Sequence, residues 1–396
     1  MTKRIMLMCI SLIMVFTCAA AENKAINLGG DGCDQMKFAC TLPDGRMVFC
    51  GSRGTVGNYN ESRARLLCLN PDWSVSWEYF DTAEGMGRYA FGTLLTDGTI
   101  GVIYYNAPYQ ETQAIEIRKF TQEGEPTGEP VDLMARSDDI PNILTSRWFV
   151  QTFDTAEGGL AIGFIGWDGG ILFSIPARRS IWMKTAIDAG DGVVLTGSES
   201  FANGLAKIMK MDYEGNILWE TVLPLMSTTS DSARIQECIR TSDGGYLGWI
   251  AETGPEYNSL CYALVRFNED GRVLWTNREA FADRTNMMCQ DMIEYNGRYV
   301  FLELPDFSDF SEKAPRVYHW FDANGTKLGE TQLWIPREDA KGVTDWDTIR
   351  IVCDNMLVTA DGLWSLYSVG IDDDKDIRKE MDSLDDILYR VPELPE

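Results

Sequence analysis

The sequence is poor in the residue types on which many catalytic and metal sites depend. It contains one histidine, His319, and its ten cysteines include no Cys-x-x-Cys pair. Zinc and iron–sulfur sites usually need such close spacing, and Ser-His-Asp or Cys-His catalysis would have to use His319. That residue lies in a strand-like run, 317–321, so we interpret it as structural. We expect no metal and no other cofactor.

Basic residues are also scarce. The chain has 35 Lys and Arg against 60 Asp and Glu, and its formal net charge is −25. Such a charge opposes nucleic acids and anionic membranes at long range, so we expect no nucleic-acid partner. The composition is otherwise typical of a folded protein, and no low-complexity linker divides it. We predict one domain over residues 22–396 and a monomer.

Long apolar runs are absent after the N-terminus. Residues 5–16 are apolar, follow Lys3 and Arg4, and precede small residues that end at Ala21. This pattern is typical of a signal peptide, 1–21, and predicts a secreted or cell-surface protein. Lipid anchoring at Cys18 is less favoured, because a phenylalanine and a threonine precede it. No later segment is apolar enough to be a transmembrane segment.

Eight cysteines lie in the predicted mature chain. Cys40 and Cys50 flank the turn Asp44-Gly45, so they either form a disulfide across a hairpin or remain buried thiols, and both readings stay open. The rest are interpreted as buried thiols: Cys33, Cys68, Cys238, Cys261, Cys289 and Cys353.

A turn dipeptide recurs through the whole mature chain. The seven copies are Asp44-Gly45, Asp97-Gly98, Glu157-Gly158, Asp191-Gly192, Asp243-Gly244, Asn296-Gly297 and Asp361-Gly362. Their gaps are 53, 60, 34, 52, 53 and 65 residues, mostly the length of four short strands with turns. Such dipeptides favour tight hairpins, because glycine adopts positive φ at little cost.

Strand-like runs of apolar residues follow each turn, and a second turn series follows most of them. Trp77, Trp219 and Trp275 occur at matching offsets after three of these second turns. A large aromatic that recurs at one offset indicates packing between neighbouring sheets. Seven such units without helical periodicity predict an all-β fold, a seven-bladed β-propeller with a central channel.

Two stretches carry a family resemblance. Ser242-Asp243-Gly244-Gly245-Tyr246, followed by Asn268-Glu269-Asp270-Gly271-Arg272-Val273-Leu274-Trp275, resembles repeats of secreted bacterial propellers in the quinoprotein-dehydrogenase-like superfamily. The resemblance implies the fold and says little about function, because these residues make turns and packing contacts. The adjacent cysteine pair that marks the cofactor-bearing quinoprotein dehydrogenases is absent from the sequence.

Two blades depart from the pattern. The gap of 34 residues predicts a three-stranded third blade that ends at residues 171–175. The last blade lacks a clear outer strand, and residues 24–28 are expected to supply it and close the ring. The acidic run at Asp372, Asp374 and Asp376 has the first spacings of a calcium loop, but Ile377 replaces the required glycine, so we favour a solvated loop.

Six arginines lie 9 to 12 residues before a hairpin turn, at the predicted entry of an innermost strand. They are Arg88, Arg147, Arg179, Arg234, Arg284 and Arg350. One hypothesis is a ring at one channel mouth that binds carboxylate, sulfate or phosphate. Inter-blade ion pairs are the alternative, and the one we favour.

Three functional classes remain from the sequence. The first is a non-catalytic binding module for a small anionic ligand, a glycan or a protein. The second is a carbohydrate-active enzyme, a hydrolase with two carboxylates or a lyase that uses an arginine. The third is a cell-envelope scaffold. The single histidine favours binding over catalysis.

Overall fold

A computed structural model gives the architecture of the chain. It describes residues 25–29, 33–55, 58–81, 87–106, 114–133, 143–154, 160–176, 181–200, 204–254, 260–282, 287–304, 315–335, 349–371 and 383–394. The predictions at Arg179, Arg284, Glu157-Gly158 and Asp372–Asp376 concern residues outside these ranges. Within them, no helix is long and apolar enough to cross a bilayer.

The strands form a seven-bladed β-propeller, as predicted. Blade 1 contains β2 (Cys33–Thr41), β3 (Met47–Thr55), β4 (Asn58–Leu69) and β5 (Val75–Phe80), and blade 2 contains β6 (Gly87–Leu94), β7 (Ile100–Asn106), β8 (Ala114–Phe120) and β9 (Pro126–Asp132). Blade 3 contains β10 (Trp148–Asp154), β11 (Leu160–Gly166) and β12 (Ile171–Pro176), and blade 4 contains β13 (Trp182–Asp188), β14 (Val193–Ser198), β15 (Ala206–Met211) and β16 (Ile217–Val222).

In each of the remaining three blades, every strand named lies further from the channel than the one before it. Blade 5 contains β17 (Ser232–Arg240), β18 (Tyr246–Thr253), β19 (Leu260–Phe267) and β20 (Val273–Asn277), and a 3₁₀ turn (Glu279–Phe281) follows it. Blade 6 contains β21 (Met288–Tyr295), β22 (Arg298–Leu304), β23 (Arg316–Phe321) and β24 (Lys327–Leu333). Blade 7 contains β25 (Ile349–Thr359), β26 (Gly362–Ile371), β27 (Ser383–Arg390) and β1 (Ala25–Asn27).

The N-terminal strand closes the ring. β1 pairs antiparallel with β27, with Ala25 opposite Tyr389 and Asn27 opposite Ile387. The carboxylate of Asp386, which is fully buried, accepts the backbone N–H of Met36 in blade 1 and the hydroxyl of Ser368 in blade 7. Main-chain pairing and one buried side chain therefore join the two ends of the propeller.

The turn dipeptides define one end of the blades, here called the turn face. Gly45, Gly98 and Gly244 have φ of +87°, +83° and +88°, as the hairpin prediction requires. The opposite end, where the innermost strands begin, is called the loop face. Second strands such as β18 are buried over nearly their whole length, because neighbouring blades cover both of their faces.

The predicted aromatic packing between blades is confirmed. A Cβ added to Gly124 of blade 2 would lie 2.6 Å from Cε3 of Trp77 in blade 1. The same relationship joins Trp219 to Gly271 and Trp275 to Gly325, at 2.3 and 2.4 Å. Each tryptophan therefore packs on a glycine turn of the next blade.

Blade 3 has three strands among the described residues, as predicted, but the strand order differs from expectation. Leu144 forms a bridge with Phe149, and the N–H of Val150 donates to the carbonyl of Ile143 at 3.0 Å. Residues 143–145 therefore lie beside β10 at the innermost position, and β10 is the second strand of its blade. The tight turn on the turn face is at residues 145–148, which contain no glycine.

The cysteine expectations have mixed outcomes. Cys40 and Cys50 are free and buried, and they are not paired in register, because Cys40 lies opposite Val48 and Cys50 opposite Lys37. Cys68 and Cys238 are buried thiols as expected, whereas Cys261 is exposed, which corrects that expectation. The side chains of Cys33 and Cys353 lie outside the described part of the chain.

Candidate functional site at the channel mouth

The innermost strands share an irregularity that the sequence does not reveal. Each of β2, β6, β13, β17, β21 and β25 has a bulge near its middle, where one residue has no register partner. In blades 4 and 5 the bulged residues are Lys184 and Gln236. Bulges commonly re-aim side chains next to functional sites. The bulged residue of blade 5, Gln236, lines a small pocket.

This pocket lies between blades 4 and 5 and is called the Arg234 pocket. Its volume is about 180 Å³. The residues that line it are Ser198, Ser200, Gly204, Ser232, Ala233, Arg234, Gln236, Ala251 and Thr253. Arg234 is the third residue of β17, so the pocket opens on the loop face near the start of an innermost strand. Hydroxyls, one amide and one guanidinium provide its polar groups.

The charge of Arg234 also acts on Lys184, a residue of blade 4 that does not line the pocket. Burial lowers the pKa of Lys184, and the charge of Arg234 lowers it further. Burial also lowers the pKa of Arg234. An anion bound at the guanidinium of Arg234 would offset part of the cost of burying that charge. The arrangement is therefore suited to a small carboxylate, sulfate or phosphate.

Among the described residues, only part of the predicted arginine ring lies on one face of the propeller. Arg88 is the second residue of β6 and Arg350 the second of β25, so both lie on the loop face, as Arg234 does. The side chain of Arg350 lies outside what the structure describes. Arg88 donates from Nη1 to Oε1 of Gln35 at 3.4 Å, and its guanidinium lies 5.6 Å from the ring centroid of Tyr105.

Arg147 lies at the opposite end of the propeller, so its predicted position is wrong. It belongs to the tight turn of blade 3, and its Nη1 donates to the carbonyl of Gly190 at 2.7 Å and to the hydroxyl of Tyr213 at 3.2 Å. Its Nε lies 3.7 Å from Oδ2 of Asp188. These partners belong to the turn face of blade 4, so Arg147 is an inter-blade tie. Whether any of the predicted arginines binds a ligand stays a prediction.

His319 lies in β23, the third strand of blade 6, and is fully buried. Its Nε2 lies 2.7 Å from Oε2 of Glu303 and its Nδ1 lies 3.0 Å from Oε1 of Glu330. The ring of Phe281 packs edge-on against it with centroids 5.4 Å apart. The histidine is held inside the blade, away from the channel, as a structural residue would be.

Two carboxyl groups with raised pKa values lie on neighbouring innermost strands. Burial raises the pKa of Glu237 to about 7, and the charge of Asp291 adds to the effect. Burial raises the pKa of Asp291 to about 6, although its carboxylate accepts backbone N–H groups from Met292 at 2.8 Å and Met356 at 2.6 Å. Asp291 thereby links blade 6 to blade 7. No group of three metal-ligating side chains occurs in the described ranges.

Comparisons with known proteins find solved structures of low sequence identity. The β-propeller domain of the trilobed protease from Pyrococcus furiosus has a TM-score of 0.49 and 11% identity, with 92% of this chain and 96% of that one covered. Prolyl oligopeptidase B from Galerina marginata has a TM-score of 0.48 and 12% identity, with 92% of this chain and 51% of that one covered. Sqt1 from Chaetomium thermophilum has a TM-score of 0.42 and 12% identity, with 93% of this chain and 100% of that one covered. No protein-family model matches the chain, and no curated protein does.

Proposed function

We propose that the protein is a secreted or cell-surface binding module that holds a small anionic group in the Arg234 pocket, without catalysing a reaction. The observation that carries the proposal is the partly buried guanidinium of Arg234 in a pocket rich in hydroxyl groups. A guanidinium forms bidentate hydrogen bonds with carboxylate, sulfate or phosphate. The serine and threonine hydroxyls suit a ligand that itself carries hydroxyl groups.

The size of the pocket limits the ligand. About 180 Å³ corresponds to about six water molecules, at ~30 Å³ each. This is below the usual range for drug-sized ligands and suits one acidic sugar unit or one charged side chain. A longer glycan or a protein would therefore present a single anionic residue to the pocket.

Binding to an array of anionic and neutral glycans tests this proposal. We expect wild-type protein to be retained by glycans that carry carboxylate or sulfate, and Arg234→Ala to lose that retention. Arg272→Ala is the matched control, because Arg272 is exposed in a turn of blade 5, away from the pocket. A wild-type protein with no preference for anionic glycans would refute the proposal.

A second candidate is a carbohydrate-active enzyme, and one observation favours it. Glu237 and Asp291 lie on adjacent innermost strands, and a carboxyl with a pKa near 7 is suited to be a general acid. Turnover of a uronic-acid polymer that Glu237→Gln abolishes would support an enzyme. The backbone contacts of Asp291 support a structural role instead, and for that reason binding is our first proposal.

A further inference from the structure

A second cavity lies in the central channel on the side of blades 1, 2, 3 and 7, and is called the channel cavity. Its volume is about 320 Å³. The residues that line it are Lys37, Phe38, Ala39, Phe91, Gly92, Thr93, Leu144 and Asn355. They come from β2, β6 and β25 and from the segment beside β10, which all occupy the innermost position of their blades. The cavity shares no lining residue with the Arg234 pocket.

The channel cavity combines one positive charge with an apolar wall. The ammonium group of Lys37 lies 4.2 Å from the centroid of the Phe91 ring, a cation–π distance. Phe38, which also lines the cavity, makes an edge-on contact with Phe49, with centroids 5.7 Å apart. Leu144 adds aliphatic surface, while Thr93 and Asn355 provide a hydroxyl and an amide. The charge therefore sits at the edge of an aromatic and aliphatic surface.

Two cations act on the same buried thiol of blade 1. The charges of Lys37 and Arg88 both favour the thiolate of Cys50, although burial dominates and raises the pKa of that thiol to about 12. Both cations therefore act on the same part of blade 1.

From this geometry we propose that the channel cavity binds an amphiphilic carboxylate, with the carboxylate at Lys37 and an aromatic or branched aliphatic body against Phe91 and Leu144. The volume of about 320 Å³ corresponds to about eleven water molecules at ~30 Å³ each, which suits one ring with a short acid chain. This site is independent of the proposed function, because it uses other residues in other blades. We expect the ligand of the channel cavity to be less polar than the ligand of the Arg234 pocket.

Calorimetric titration of the full mature chain with phenylacetate tests the proposal, with phenylacetamide as the neutral probe of the same shape. We expect phenylacetate to bind and phenylacetamide to bind at least about tenfold more weakly, because a charged hydrogen bond is lost. Lys37→Met should weaken phenylacetate binding by a similar factor, and Lys37→Arg should retain it. Phe91→Leu should weaken both probes, since the aromatic surface is reduced.

Control variants keep the test specific. Lys210→Met removes a lysine on the turn face of blade 4, whose Nζ lies 2.7 Å from Oδ1 of Asp191. This variant should leave phenylacetate binding unchanged. Arg234→Ala should also leave phenylacetate binding unchanged, which separates this proposal from the one above. The proposal is overturned if phenylacetate does not bind, if phenylacetamide binds equally well, or if Lys37→Met and Lys210→Met have the same effect.

Discussion

The indole ring of Trp219 in blade 4 covers Gly271 in blade 5, so closely that a Cβ on the glycine would lie 2.3 Å from Cζ3 of the ring. The indole is half-buried, and the glycine has φ of +74°. This contact joins a fourth strand to the tight turn of the next blade. It recurs with Trp77 and Gly124 and with Trp275 and Gly325, so the blades are fastened to each other near their outer edge.

Gly271→Ala should therefore destabilise the protein by about 1–3 kcal/mol, through a strained backbone and a displaced indole. Gly297→Ala is the matched control, because its φ is +71° and nothing lies within 4 Å of a Cβ there. We expect chemical denaturation to show a larger loss for Gly271→Ala than for Gly297→Ala. Equal losses would mean that backbone strain accounts for the whole effect and that the tryptophan contact contributes nothing.

The same regularity explains how much of the fold was predictable. Asp-Gly and Asn-Gly turns and the tryptophans after the second turns are local signals, so they predict seven blades and the contacts between them. The sequence does not predict the tight turn of blade 3, because residues 145–148 carry no glycine. The predicted position of Arg147 is wrong for the same reason. Ring closure was predictable from residues 24–28, because one blade lacked an outer strand.

The Arg234 pocket was only partly predictable. The sequence predicts Arg234 because it stands at the entry of a strand, but it does not predict Gln236. Gln236 is a bulged residue, and a bulge depends on how neighbouring strands twist and pair, which no local sequence pattern records. The hydroxyl groups come from two blades, so only the assembled ring brings them together.

Deletion of residues 22–30 should markedly lower the thermal midpoint. The deletion removes β1, exposes the edge of β27 and takes away the hydrogen bond from Leu28 N to Asp386 O of 2.8 Å. A propeller whose last blade is open loses contacts at the junction of blades 7 and 1. Differential scanning calorimetry measures the midpoint. An unchanged midpoint would show that β1 adds nothing to ring closure.

Stability should also depend on pH through Glu237. Its pKa is about 7 in the folded protein against an ordinary value of 4.5, so the folded state binds the proton more tightly. The resulting stabilisation is fully present below about pH 4.5 and is lost as the pH rises through 7. In Glu237→Gln we expect thermal midpoints that vary less between pH 5 and pH 8, and a higher midpoint than wild type at pH 8.

Glu214→Gln is the control for that series, because Glu214 is exposed in a turn of blade 4. It should retain the wild-type pH dependence. If Glu237→Gln and wild type follow the same curve from pH 5 to pH 8, the buried carboxyl does not titrate in this window.

The central claim is that Arg234 and its pocket bind an anion on the loop face. Calorimetric titration with D-glucuronate at low salt tests it most directly, with D-glucose as the neutral sugar. We expect glucuronate to bind more tightly than glucose, Arg234→Ala to lose about 10- to 100-fold in affinity, and Arg147→Ala and Arg272→Ala to bind as wild type does. Equal affinity of wild type and Arg234→Ala for glucuronate would contradict the account.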